Sequence, residues 1–131
     1  QKLTRQLHLE ERVHLLGYRT DIPDMLGAAD IFCMPSRREG CGMAALEAMA
    51  AGLPLITVRS HGTKTYAEKG ESGFCLKGDL VTSCADAIEQ LADNKLLRRQ
   101  MGARNRAAAT AFSDADRMML LRGYYQKALG D

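Results

Sequence analysis

Residues 30–58 read as strand, loop, helix, strand, and that order leaves few folds open. Asp30-Ile-Phe-Cys-Met-Pro35 is a short apolar run closed by a proline, the pattern of a strand buried on both faces. Met43–Ala51 is rich in alanine and leucine, which favour helix, and Gly52 followed by Pro54 supplies its stop. Leu55-Ile-Thr-Val58 is the next apolar run. Strands joined through a helix run parallel, and parallel sheets carry helices on both faces. The unit therefore predicts an α/β fold, a parallel sheet flanked by helices.

The rest of the chain fits that frame. Residues 1–9 pattern as a helix with Leu3, Leu7 and Leu9 on one side, leading into a strand at 13–17. Pro23 opens a short helix to about residue 29. A short helix at 64–69 ends at Gly70, and residues 73–77 form the last strand. After a cap at Asp79, residues Leu80, Val81, Cys84, Ala87, Ile88, Leu91 and Ala92 recur at helical spacing. A helix at 95–110 is basic on its outer side through Arg98, Arg99, Arg104 and Arg106, which reads as a solvated face. Ser113 and Asp116 open a final helix presenting Met118, Leu121, Tyr125 and Ala128.

The 131 residues support one domain, 1–131, with a single core. A formal charge of +2 and 5% aromatic residues give no basic stripe with stacking rings, so nucleic acid is not the expected partner. The cysteines at 33, 41, 75 and 84 show neither zinc spacing nor the density of a disulfide scaffold. They read as reduced thiols of a cytoplasmic protein, with Cys33 and Cys84 as core filler. No apolar stretch approaches about 20 residues and no signal peptide opens the chain. Gln1 falls inside a helical pattern, so the chain is expected to be a piece of something longer.

Ligands of parallel sheets sit beyond the carboxyl ends of the strands, where the loop 36–42 falls. There Glu39 and Glu47 frame a glycine-bearing loop that runs straight into a helix. In one reading, the amides of Gly40, Cys41, Gly42, Met43 and Ala44 meet a diphosphate at the positive end of that helix, and Glu47 accepts hydrogen bonds from the vicinal hydroxyls of a ribose. In the other, both acids are solvated and the glycines serve only the turn. From this segment alone the two readings stand even.

Arg37 and Arg38 could add positive charge beside the loop, although adjacent surface arginines are usually just solvated. Tyr18 and Arg19 follow a predicted strand end and could flank a base, by packing and by guanidinium stacking. His61 lies on the same rim without an acidic orienter nearby in sequence. No two histidines have helix ligand spacing, so no metal is proposed.

Taken in order, Ala28-Ala29-Asp30, Pro35-Ser36, Glu39-Gly40, Leu46-Glu-Ala-Met-Ala-Ala-Gly-Leu-Pro54, Glu68-Lys-Gly-Glu-Ser-Gly-Phe74 and Phe112-Ser113 resemble the carboxyl-terminal domain of the GT-B fold glycosyltransferases, specifically the retaining enzymes of glycosyltransferase family 4. The resemblance spans nearly the whole chain. It implies the Rossmann-like carboxyl-terminal half of a GT-B fold and transfer of a sugar from a nucleoside diphosphate sugar, with retention at the anomeric carbon. It also implies that Glu47 holds the ribose, that Glu39 is the catalytic residue and lies against the donor sugar, and that the backbone of residues 40–43 contacts sugar and phosphates. Tyr18 and Arg19 fall where such enzymes border the base. No bound metal is expected for the diphosphate.

The chain also departs from the family pattern. His61-Gly-Thr-Lys-Thr65 stands where relatives often carry Gly-Gly-x-Pro-Glu. The family's amino-terminal acceptor domain, its first two carboxyl-domain strands and its basic diphosphate clamp have no counterpart here. The isolated chain is therefore expected to be inactive. The strand near residue 31 is expected to meet an exchanged element, a second copy or a rearranged sheet. The parent could sit peripherally at the inner membrane surface. Two further readings are a noncatalytic nucleotide-sugar-binding or regulatory module and an assembly domain pairing through sheet edges.

Overall fold

The structure, a computed structural model, describes residues 2–58, 63, 66 and 72–112. Its elements run α1 (Lys2–Gln6), α2 (Ile22–Ala28), β1 (Phe32–Met34), α3 (Met43–Ala51), β2 (Leu55–Val58), β3 (Gly73–Leu76), α4 (Leu80–Asp93) and α5 (Lys95–Ala109), closed by a 3-10 turn at Thr110–Phe112. The strands form one parallel sheet in the order β1-β2-β3. Phe32 stands opposite Leu55, and Leu55 opposite Gly73. The parallel sheet with helices on both faces is the fold expected from the sequence.

Side-chain alternation along β2 sorts the core into two layers. Leu55 faces the cluster of Ala45, Leu46, Ala48 and Met49 on α3, while Ile56 faces Leu76, Ala87, Leu91 and Met101. Helix α5 serves both layers. Met101 joins the second, and Ala109 packs on the first. The buried Asn105 amide of α5 donates to Leu53 O at 2.6 Å and Ser72 O at 2.8 Å, the segments that lead into β2 and β3. Helix α5 thus ties down the amino ends of these strands and leaves their carboxyl ends for the loops.

Several boundaries match the sequence reading because each carries its own stop. Helix α3 ends at Gly52, in the left-handed region at φ 82°, whose amide reaches back to Met49 O at 2.9 Å. Helix α4 starts at Asp79, whose side chain accepts from the Val81 amide at 3.1 Å.

Four expectations need correction. The predicted strand at 13–17 forms no ladder among the described residues, and Val13, Leu15 and Leu16 are 42%, 63% and 52% exposed. A short apolar run makes a strand only beside another strand. Helix α1 stops at Gln6 rather than residue 9, with His8 left-handed at φ 53° and Leu3 and Leu7 exposed. Val81 and Ile88, assigned to the apolar face of α4, are exposed, and Cys33 is exposed rather than core filler. Its Sγ lies 3.6 Å from Cys84 Sγ.

The basic face of α5 is only partly a solvated one. Arg98 donates to Ala92 O at 2.7 Å, and Arg106 to Ala51 O at 2.7 Å. Both cations therefore sit on carbonyls at helix carboxyl ends, where the macrodipole favours them. Among the described residues no helix is long and apolar enough to cross a membrane. Of the expected helix at 64–69 only Tyr66 is among the described residues, and His61, Lys64, Thr65 and the final helix from Ser113 lie outside them.

Candidate functional site

The loop between β1 and α3 begins at the carboxyl end of β1, beside the ends of β2 and β3. Glu39 is half-buried in it, while Gly40 and Cys41 are exposed. Gly42 then takes the N-cap position of α3 with φ 68° and ψ 47°, a conformation that side chains disfavour. A glycine N-cap has no side chain to bond the first amides of the helix. The Ala45 and Leu46 amides both turn back to Gly42 O, at 2.8 and 3.2 Å. Those of Met43 and Ala44 have no hydrogen-bond acceptor among the described residues. Two aligned donors thus face outward at the positive end of α3, with no acid in its first turn to occupy them.

Helix α3 turns Ala45, Leu46, Ala48 and Met49 into the core, which places Glu47 on the opposite, exposed side. There Glu47 lines an open groove of about 430 Å³ together with Met43, Ala50, Arg106 and Phe112. The structure therefore gathers Met43, the two open amides and Glu47 on one helix. Its groove is mostly apolar with one carboxylate and one guanidinium, a lining able to pack a ring while bonding its hydroxyls.

Tyr18 and Arg19 occupy a different segment. Tyr18 is 92% exposed, and Arg19 pairs with Asp21 in an exposed ion pair that raises the arginine and lowers the carboxylate from their ordinary values. Arg37 and Arg38 are exposed. No three His, Cys, Asp or Glu side chains come together among the described residues.

Tyr66 was missed. It is buried beneath the loop, and its hydroxyl donates to Cys41 O at 3.4 Å. Burial first, then the negative charge of Cys41 and Glu39, push that hydroxyl up to about 12. The one sequence signal was an aromatic residue in the segment after β2, on the rim where ligands of such sheets bind.

The family described as glycosyl transferases group 1 matches residues 1–108. The chain is 37% identical over 106 residues to N-acetyl-alpha-D-glucosaminyl L-malate synthase of Bacillus anthracis, covering 80% of this chain and 28% of that protein. It is 31% identical over 131 residues to D-inositol 3-phosphate glycosyltransferase of Corynebacterium glutamicum (strain R), covering 98% of this chain and 31% of that protein. The chain thus spans about a third or less of these curated relatives. Among solved structures, the Anabaena protein HepE in complex with UDP and glucose superposes with a TM-score of 0.86 at 24% identity, over 97% of this chain and 35% of that one. At that identity the likeness is one of fold.

Proposed function

The chain belongs to the group 1 glycosyl transferases, and on that premise we propose that the protein containing it moves a sugar from a nucleoside diphosphate sugar to an acceptor with retention, this chain supplying the donor-binding half. The observation that carries the reading is the arrangement on α3, with two undonated amides at its positive end and Glu47 further along the same helix over a groove. A diphosphate against the amides would lead its ribose toward Glu47. Glu39 would lie against the donor sugar, with residues 40–44 around sugar and phosphates. Tyr18 and Arg19 would border the base after a rearrangement that frees Arg19 from Asp21.

The proposed site holds the diphosphate with amides and not through a metal. UDP, the nucleotide bound by HepE, is the first donor fragment to test. Replacing Glu47→Ala in the full-length protein removes a charge-assisted hydrogen bond of roughly 1.5 to 3 kcal/mol and should weaken UDP by about ten- to a hundredfold. The measurement is calorimetric, in buffer containing EDTA. Unchanged affinity would take Glu47 out of the ribose role.

The acceptor domain and the remaining strands are proposed to come from the rest of the protein, so that this chain alone turns nothing over. One observation favours a second reading, that of assembly. The outer edge of β1 has no strand partner among the described residues, and an open edge invites a further strand, from the parent protein or from a second copy. A peripheral place at a membrane surface belongs to the same proposal for the whole protein.

A further inference from the structure

Tyr66 lies beneath the loop that is proposed to hold the donor, and its hydroxyl reaches that loop from below. Its own backbone is fixed from both sides. The Tyr66 amide donates to Thr63 O at 3.3 Å, and Thr63 Oγ1 donates to Val58 O at 2.9 Å, the last residue of β2. Ser72 Oγ, just ahead of β3, donates to Tyr66 O at 2.8 Å. Its ring meets Phe112 edge-on, with centroids 6.2 Å apart and planes at 83°.

From these anchors the hydroxyl reaches the turn before α3. It donates to Cys41 O, and it occupies the space that a Cβ on Gly42 would need, with Met34 Cε 3.3 Å from the same point. A 3.4 Å bond is weak by itself, so the contact with Gly42 shares the work of placing the turn. Gly42 is thus required twice, by its left-handed backbone and by the phenol against it.

We infer that Tyr66 is a positioning residue for the donor site, its hydroxyl setting the Gly40–Gly42 turn so that the Met43 and Ala44 amides face the diphosphate. This rests on the donor-binding reading above. Because the hydroxyl is held as a neutral donor at neutral pH, the restraint is present throughout the working range.

The test uses Tyr66→Phe in the full-length protein, which keeps the ring and its packing on Phe112. Three measurements decide it: UDP affinity, donor KM against kcat, and amide hydrogen exchange over residues 40–44 without nucleotide. Expected are UDP binding weakened about three- to tenfold, a donor KM raised by a similar factor with kcat nearly unchanged, and faster exchange at residues 40–44. A merely structural role would lower thermal stability and leave KM and exchange at the loop as they were, and that result overturns the proposal. Gly42→Ala provides a second arm, because its methyl strikes the phenol oxygen in the wild type, whereas in Tyr66→Phe the contacts left are Met34 Cε at 3.3 Å and the ring carbon at 3.7 Å. Its stability penalty should be smaller in the Tyr66→Phe background, and strict additivity counts against the contact. If the wild-type protein binds no UDP, the donor reading falls by itself, and unchanged exchange at 40–44 would then still refute the hold of Tyr66 on the loop.

Discussion

Gly42 shows how one residue joins backbone conformation to chemistry. With φ 68° at the foot of α3 it ends the loop, starts the helix and leaves the next two amides without a cap. The glycines and both glutamates were legible in the sequence, because their meaning is local: a loop, a helix start, an acid on the second turn. Tyr66 was not, because its role arises only when the ends of β2 and β3 come together under the loop. Two groups at this scale make stability sensitive to alkali. Although Cys33 is exposed as a residue, partial desolvation of its thiol first, then the Cys84 thiol beside it, holds it at about 11, above its ordinary 9.0, and Tyr66 is held at about 12, above 10.0. The folded chain therefore keeps protons that the unfolded chain releases in that window. Stability is full below pH 9.0 and falls as pH rises through 10.0 toward 12. Urea midpoints that hold level across this range would contradict the assignment.

Among elements, α3 and β2 have the limits read from the sequence, Met43–Ala51 and Leu55–Val58. Alanine-rich helix, glycine stop and proline break all agree there. The strand expected at 13–17 failed for the opposite reason, since an apolar run without a neighbouring strand among the described residues stays exposed. The contact of α5 with the segments before β2 and β3 could not be foreseen. Asn105 carries no sequence signal of its own within a basic helix, yet it is fully buried and feeds two carbonyls. Asn105→Ala would leave Leu53 O and Ser72 O without that donor, and an orphaned buried acceptor costs about 1 to 3 kcal/mol. Chemical denaturation should show a loss of roughly 2 to 4 kcal/mol. A loss under about 0.5 kcal/mol, the range of surface changes, would mean that water replaces the amide.

On the scale of the whole molecule, the described sheet has three strands and β1 lies at its edge. That β1 would meet an exchanged element, a second copy or a rearranged sheet was an expectation from the family resemblance, and which of these it meets was not legible, because an open strand edge does not name its own partner. The chain expressed alone should self-associate through β1. Its solution mass should rise above the 14.4 kDa of one copy as concentration increases, with β1 amides slowed in hydrogen exchange in parallel. A single-copy mass at every concentration would remove the assembly reading.

Helices α3 and α5 cross so closely that a Cβ on Gly102 would strike Gly52 O, and Arg106 grips the last turn of α3 at Ala51 O. Contact this close leaves α5 holding the carboxyl end of α3, so the same helix that is pinned at one end carries, at the other, two amides without an acceptor among the described residues.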